Sequence, residues 1–207
     1  MEWPLFDLRL QAGAVLLRPV TDPDLEVLAT LLPDDVELDP RSERFAGLAD
    51  DRDRQRRFVQ GAWRSRGSWS PRAWCLDLGV EVDGELVGLQ SLEGDDFGEL
   101  RTVDSASWLV VAARGRGLGT SMRAAALGLA FEHLGAVAAV SSAVLDNHAS
   151  LGVSQRLGNA DNGISRVSTR GGVAELRHLR LTAETWRSTS RRVEVSGVAA
   201  CLPWFGA

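Results

Sequence analysis

A glycine-rich stretch between two apolar segments constrains this chain most. Residues 110 to 135 read VVAARGRGLGTSMRAAALGLAFEHLG, which places RGRGLG between a predicted strand and an alanine-rich predicted helix. Glycine tolerates positive φ and lacks a Cβ, so a ligand can approach the main chain there. The first N–H groups of a helix have no internal partners and lie at the positive end of its dipole. The stretch therefore predicts a site for a phosphate or pyrophosphate.

Spacing distinguishes this loop from two common phosphate-binding loops. A P-loop requires GxxxxGK[ST], but all 23 Lys and Arg residues of this chain are arginine. A dinucleotide-binding loop requires GxGxxG and an acid on the following strand, whereas these glycines are two apart and the next strand, AVAAVSS, has no acid. The remaining pattern is R-x-x-G-x-G between a strand and a helix.

Composition limits the class of protein. The formal net charge of −5 argues against broad electrostatic attachment to nucleic acid. The N-terminal residues do not resemble a signal peptide, no apolar run has membrane-spanning length, and Cys75 and Cys201 form no CxxC pair. We expect a soluble, cytoplasmic protein with no membrane or nucleic-acid partner. The three scattered histidines predict no metal site, and the lack of lysine and tyrosine is typical of GC-rich bacterial coding.

Periodicity along the chain predicts an α+β (mixed α/β) fold. A strand over 8–20 precedes a helix that begins after Thr21, and Asp83-Gly84 predicts a hairpin. The other predicted elements are a helix over 51–66 with Phe58, Ala62 and Trp63 inward, strands over 73–82, 85–94, 103–111 and 136–145, a helix after the glycine loop that ends at about Leu134, a helix over 148–158, and a hairpin around Gly171-Gly172. We expect one domain over 1–207, with a core over about 8–182 and a loose tail over 187–207. The terminal CLPWF could dock onto the body or onto a second subunit.

The glycine loop resembles a known signature. Arg114-Gly115-Arg116-Gly117-Leu118-Gly119 is similar to the acyl-coenzyme A motif (Gln/Arg)-x-x-G-x-(Gly/Ala) of the GNAT acetyltransferase superfamily. LLRPVTDPDLEVL, SWLVV and DNHASLGVSQRLGN resemble the branch that contains the RimJ and RimL ribosomal-protein N-acetyltransferases. Ser107 and Gly158-Asn159 depart from that branch, at positions that concern the acceptor pocket. The resemblance implies a central, mostly antiparallel twisted sheet with flanking helices.

The resemblance also implies that acetyl-CoA or another acyl-CoA binds between two diverging strands. Main-chain groups of Leu109, Val110 and Val111 would contact the pantetheine or the thioester. The pyrophosphate would be held by loop N–H groups, those of Arg114, Gly115, Arg116, Gly117, Leu118, Gly119 and Thr120. Asn147 would bridge the strand end to the pantetheine, or it caps the helix that follows.

Two residues are candidates for the chemistry. Asp104 stands where many RimL-like sequences carry a Glu, and would be the general base; alternatively it is a strand-edge acid paired with Arg101 or another arginine. Glu93 and Glu99 are reserve candidates for that role. Ser154 stands where many GNAT enzymes place a tyrosine, and would donate a hydrogen bond to the sulfur, or it is an ordinary helix serine.

The predicted activity is direct transfer of an acyl group to a primary amine of a protein N-terminus, a lysine or a small molecule. Two alternatives stay open, a succinyl-CoA-dependent enzyme and a CoA-binding sensor without turnover. In the first, the arginines of 54–72 would read the extra carboxylate; otherwise they form a solvated helix face. Trp63, Trp69 and Trp74 line an acceptor pocket or pack within the fold. Family habit makes a homodimer plausible.

Overall fold

A single sheet organises the molecule. The computed structural model describes residues 3–39, 42–169, 172–189 and 191–207. Its strands are β1 Arg9–Ala12, β2 Val15–Pro19, β3 Ala73–Val82, β4 Glu85–Asp95, β5 Thr102–Leu109, β6 Ala138–Val144, β7 Ala160–Thr169, β8 Gly172–Thr182 and β9 Glu194–Ser196. They lie in the order β7-β8-β6-β5-β4-β3-β2-β1-β9, and among the described strands only β5 and β6 pair in parallel.

Helices flank this sheet. They are α1 Asp22–Leu31, α2 Asp50–Gly67, α3 Phe97–Leu100, α4 Leu118–Gly128, α5 His148–Leu157, α6 Ala183–Ser188 and α7 Leu202–Phe205. A π-helical turn, Leu129–His133, extends α4, and short 3-10 turns occupy Pro4–Asp7 and Val111–Ala113. The predicted α+β fold, with a central and mostly antiparallel sheet, is confirmed. Among the described residues, no helix combines the length and the apolar composition needed to cross a membrane.

Three local predictions were wrong. The single strand predicted over 8–20 is a hairpin, because Gly13 adopts φ +60 and lets Ala12 pair with Val15. The strand expected to reach 111 ends at Leu109, where a 3-10 turn follows. Trp63 was expected to face inward, but its side chain is 53% exposed.

Other predictions at the level of elements were correct. Asp83 and Gly84 both have positive φ in a tight turn between β3 and β4, as the Asp-Gly pair indicates. In the first turn of α1, the Asp24 carboxylate accepts hydrogen bonds from the N–H and hydroxyl of Thr21 and pairs with Arg18. In the last hairpin Thr169 pairs with Gly172, while residues 170 and 171 lie outside the described ranges.

The two faces of the sheet carry different side chains. Alternation along β5 sends Val103, Ser105, Ser107 and Leu109 toward α4, and Asp104, Ala106 and Trp108 toward the α1–α2 side. The buried cluster on the α4 side spans most of the sheet, whereas the cluster under α1 and α2 is smaller and includes Phe58, Leu89 and Trp108. The α1–α2 face therefore keeps part of its surface open.

The C-terminal segment packs on the body, and this part of the predicted loose tail is ordered structure. Cys201 and Phe205 are fully buried, and β9 pairs with β1. The indole N–H of Trp69 donates to Trp204 O at 2.8 Å, and that of Trp74 donates to Phe205 O at 3.2 Å. These tryptophans therefore anchor the chain end, and of the two only Trp74 also borders the cleft described below.

Candidate active site

An opening between β5 and β6 forms the centre of the site. The two strands pair only from Thr102↔Ala138 to Asp104↔Val140, although β5 continues to Leu109 and β6 to Val144. A cleft of about 2250 Å³ runs from the glycine loop past this opening to the α1–α2 face of the sheet. Ordinary ligand pockets measure roughly 300–1,000 Å³, so this cleft has room for two substrates at once.

The glycine loop presents main-chain donors to that cleft. Gly115 and Gly117 have φ of +74 and +82, and a Cβ at either position would meet no atom within 4 Å. Gly119 differs, because it lies in the first turn of α4 and a Cβ there would come within 3.3 Å of Val153. Arg114 N–H donates to Val111 O and Thr120 N–H to Gly117 O. Within the described residues, the N–H groups of 115 to 119 donate to no protein acceptor.

The loop arginines take different positions. The Arg114 guanidinium binds the Asp35 carboxylate through both terminal nitrogens, one of them at 2.8 Å, and its Nε donates to Leu109 O at 2.9 Å. This arginine therefore fixes the loop against the segment after α1 instead of standing free for a phosphate. Arg116 is exposed beside the loop N–H groups.

The end of β5 offers fewer free main-chain groups than its three apolar residues suggested. Val110 N–H donates to Val87 O at 2.9 Å, so it faces β4, and Val110 O accepts from Ala113 N–H. Val111 O accepts from Arg114 N–H. Because alternate residues of a strand point their main-chain groups in opposite directions, Leu109 and Ser107 face the opening toward β6.

Three carboxylates lie side by side on the open face of the sheet. Asp77 on β3, Glu93 on β4 and Asp104 on β5 belong to adjacent strands, and Glu93 is directly opposite Asp104. All three line the cleft. Loss of hydration raises the pKa of each, and for Glu93 the charges of Asp104 and Asp77 raise it further. A bound cation would offset the lost hydration and the mutual repulsion of these carboxyl groups, so the row suits a ligand that carries positive charge.

Asp104 is accessible from the cleft. Solvent reaches it through the cleft, and its Oδ1 accepts from Ser105 N–H at 2.6 Å. Loss of hydration raises the pKa of Asp104, while the Ser105 N–H and the charges of Arg123 and His178 lower it. Among the described residues Asp104 forms no ion pair. Arg101, one of the arginines that the alternative interpretation considered, instead donates to Leu134 O and stacks on Phe97.

The other candidate acids differ in position. Glu93 shares the face of Asp104, and remains a reserve for the same role. Glu99 lies in α3, away from the cleft lining. In the described ranges no group of three histidine, cysteine or acidic side chains is arranged to hold a metal ion.

Ser154 is farther from the cleft than predicted. It is fully buried in α5 and does not border the cleft, and its Oγ accepts from Arg123 Nη1 at 2.8 Å. Arg123 does border the cleft, and its Nη2 donates to Ser107 Oγ at 3.3 Å. The sequence analysis missed Arg123. The signal was an arginine inside the apolar helical run MRAAALGLAF, where a surface residue is not expected.

Asn147 lies at the start of α5 and borders the cleft. Its Oδ1 accepts from Ser150 N–H at 3.0 Å, so it caps the helix. In the described part of the chain its side-chain NH₂ has no protein acceptor and is free to meet a ligand.

The arginines of α2 bind the neighbouring loop. Arg57 donates to Ser42 Oγ at 2.7 Å and to Asp39 O at 3.0 Å, and Arg66 pairs with Asp22 at 2.8 Å. Arg56 pairs with Asp53 and lies over the Phe45 ring. These contacts give the arginine run a structural role and leave few of its guanidinium groups free for a ligand carboxylate.

A family model and several solved structures match this chain. Residues 14–159 match the acetyltransferase (GNAT) domain. Mycobacterium smegmatis RimJ in complex with CoA-disulfide superposes with a TM-score of 0.66 at 22% identity, over 94% of this chain and 99% of that chain. A GNAT-family acetyltransferase from Bacillus anthracis gives 0.65 at 14% identity, over 85% and 99%. A spermidine N-acetyltransferase SpeG chimera from Vibrio cholerae and hSSAT gives 0.65 at 14%, over 86% and 100%. Identities this low establish a common fold.

Proposed function

Because the chain belongs to the GNAT acetyltransferase family, we propose that it transfers an acyl group, acetyl or a related one, from acyl-CoA directly to a primary amine. One observation carries this proposal. A row of free N–H groups, from 115 to 119, stands at the start of α4 beside an opening between two strands, and a carboxylate lies where those strands begin to part. This arrangement suits a pyrophosphate at one end and an acceptor amine at the other.

The cofactor-binding role rests on main-chain groups. The N–H groups of Gly115, Arg116, Gly117, Leu118 and Gly119 would hold the pyrophosphate, where the positive end of the α4 dipole adds to their charge. The pantetheine would enter the opening, with the Leu109 and Ser107 main chain on one wall and Asn147 at the other. Val110, Val111, Arg114 and Thr120 would support this site mainly by shaping the loop, because several of their main-chain groups already hold each other or β4.

The reaction requires a neutral amine beside the thioester. In the proposed step Asp104 accepts a proton from the acceptor ammonium, directly or through a water molecule. The nitrogen then attacks the carbonyl carbon and the C–N bond forms. The nitrogen releases its second proton to solvent, and the C–S bond breaks with its electron pair leaving on sulfur. Holding both substrates in one cleft supplies much of the rate enhancement. The charge of Arg123 helps to keep Asp104 ionised and able to act as a base.

The acceptor is proposed to be a cationic amine. Asp77, Glu93 and Asp104 line the open face, where their carboxyl groups can accept hydrogen bonds from an ammonium group, and a bound cation would favour their ionised forms. RimJ and a spermidine N-acetyltransferase are among the similar structures. The resemblance of the sequence to the branch of ribosomal-protein N-acetyltransferases favours a protein N-terminus as the acceptor class to test first. The same face disfavours a dicarboxylic acyl group, and the α2 arginines that might have bound one are engaged elsewhere.

Acyl transfer to amines can be tested directly. The purified chain would be incubated with acetyl-CoA and succinyl-CoA in turn, against N-terminal peptides, lysine peptides and polyamines. Free CoA release and the mass of the acceptor would be measured together. We expect acetylation of at least one amine class, with acetyl-CoA favoured over succinyl-CoA. Binding of CoA without a modified amine in any combination would instead indicate a CoA sensor.

A further inference from the structure

Arg123 is a buried cation without an acidic partner. Its side chain is only 5% exposed, and in the described part of the chain it forms no ion pair. Its Nε is buried and has no hydrogen-bond acceptor. Burial lowers the pKa of Arg123 to about 10, against the raising effect of the Asp104 charge, so the guanidinium still carries its charge at neutral pH.

The guanidinium lies at the opening between the diverging strands. Ser107, which it contacts on β5, is three residues beyond the last β5–β6 pair, and Ser154, its other partner, belongs to α5. The charge of Arg123 is felt by Asp104, whose side chain is on the other face of the sheet. Arg123 thus extends from α4 to the opening between β5 and β6, which connects the two faces of the sheet.

Packing gives no reason for a charge at this position. The neighbours of Arg123 along α4 are the buried Met122, Ala124 and Ala125. Burying a charge is unfavourable unless it is paired, and apolar replacements of buried ionic groups are often neutral or stabilising. A cation that persists in an apolar helix and borders a substrate cleft is better explained by a negative charge that arises there.

We propose that Arg123 is a catalytic residue that stabilises the negative charge on the sulfur as the CoA thiolate departs, and that Ser107 and Ser154 hold its guanidinium in place. This inference rests on the proposed function, because it requires acyl-CoA in the opening. The C–S bond breaks, the electron pair stays on sulfur beside the guanidinium, and of the two protons that the acceptor ammonium loses one is on Asp104 and one has passed to solvent. Ser154 thereby becomes a positioning residue instead of the donor to sulfur.

The hydrogen bonds of Arg123 favour a single-atom anion over a carboxylate. Carboxylate recognition by arginine is frequently bidentate, with two parallel N–H donors pointing the same way. Here Nη1 donates to Ser154 and Nη2 to Ser107, so the two ends of the fork are directed at different hydroxyls. Beyond these two contacts, the guanidinium offers its positive charge and single N–H groups, which can interact with one sulfur atom.

The thiol of bound CoA reports this charge without any turnover. We would titrate the complex with CoA by ultraviolet absorbance of the thiolate, and subtract the same titration with desulfo-CoA, which removes the signals of Cys75 and Cys201. A cation next to the sulfur should make the bound thiol ionise at a pH lower by about 1 to 3 than in R123M. R123K should retain part of the effect, and S154A should weaken it because the guanidinium loses an anchor.

Affinity and turnover separate this role from a structural one. Desulfo-CoA affinity should change less than about threefold in R123M, because its sulfur is absent, while kcat with acetyl-CoA should fall by about 10²-fold, as for loss of a charge-stabilising donor. R123Q repeats the neutral substitution in case R123M does not fold. If bound CoA titrates alike in wild type and both neutral variants, or if only succinyl-CoA turnover is lost, the inference is overturned.

The proposed function fails in a different way. A wild-type protein that lowers the pKa of the bound thiol but acylates no amine would overturn the transferase activity and leave Arg123 as the group that binds the thiolate. A wild-type protein that acylates amines but leaves the bound thiol unshifted would overturn only the Arg123 assignment.

Discussion

The two ends of the cleft are built in different ways. At the glycine loop the ligand-binding groups are main-chain N–H groups at the start of one helix, and they follow each other in sequence. At the open face the groups are side chains from three adjacent strands, Asp77, Glu93 and Asp104, brought together by strand register, while Arg123 of α4 approaches the opening from the opposite face. The first end requires a backbone shape, whereas the second requires particular charges at particular places.

This difference predicts how an amino-acid substitution acts at each end of the cleft. A backbone site depends on residues that allow the loop conformation, so a substitution acts through strain and access. A side-chain site depends on ionisation and solvation, so a substitution of the same size acts on chemistry with little effect on shape. The predictions below test that division.

The largest expected effect is on turnover, from Asp104→Asn. The amide keeps the shape of the side chain but cannot accept a proton, so kcat should fall by about 10²- to 10⁴-fold, as for loss of a general base. CoA affinity should stay within about threefold, since the loop that binds CoA is unchanged. Steady-state kinetics and calorimetric CoA titration measure the two quantities.

A matched control for this substitution is Glu99→Gln, in α3 and away from the cleft. It should leave both quantities unchanged. Retention of full turnover by Asp104→Asn would transfer the base role to Glu93, which lies directly opposite, and Glu93→Gln would then show the loss.

The next effect is on CoA affinity, from Gly117→Ala. Gly117 has φ +82 and open space where a Cβ would be, so alanine adds backbone strain of about 1–3 kcal/mol without a clash. If binding fixes this loop conformation, CoA should bind about 10- to 100-fold more weakly, while the kcat at saturation changes little. Isothermal titration with CoA measures this.

Gly13→Ala controls for strain alone. Gly13 also has positive φ, +60, and open space, but it lies in the β1–β2 hairpin. It should lower thermal stability and leave CoA affinity unchanged. Equal losses of CoA affinity in the two variants would show that the loop is not a separate site.

The difference between a site of consecutive residues and a site assembled from several strands also explains which features could be predicted from the sequence. The glycine loop, the Asp83-Gly84 hairpin and the capped start of α1 were readable because each depends on a few consecutive residues. Asp104 was reached only through a family resemblance, and its opposition to Glu93 follows from a register that no local pattern contains. Arg123 and Asp77 were missed because periodicity describes which face a residue occupies and not that strands part beside it. The hairpin at Gly13 was missed because apolar residues on both sides hid a two-residue turn.

A smaller effect on CoA affinity is expected at Asn147, which caps α5 and also borders the cleft. Asn147→Asp keeps the oxygen that caps α5 but removes the NH₂ donor, so stability should be retained while CoA affinity falls. Asn147→Ala should lose both, with about 1 kcal/mol of stability from the missing cap. Urea unfolding and CoA titration of the two variants separate the roles. Full CoA affinity in Asn147→Asp would reduce Asn147 to a helix cap.

The smallest effect is a gain in stability at the side-chain end. Loss of hydration raises the pKa of Asp104 above 3.8, so its contribution to stability is present below the unfolded-state pKa and is lost as pH rises through the folded-state pKa. At neutral pH Asp104→Asn should therefore raise the free energy of unfolding, by at most about 1 kcal/mol because solvent screens this site.

Asp24 should affect stability in the opposite direction. Burial alone would raise its pKa, but hydrogen bonds from Arg18 and Thr21 lower it to about 2. Its contribution is present above 3.8 and lost as pH falls toward 2, so Asp24→Asn should destabilise at neutral pH. Thermal unfolding at neutral and acidic pH compares them, and a stabilisation by Asp104→Asn that accompanies its loss of turnover would show that this carboxylate is kept for chemistry at the expense of the fold.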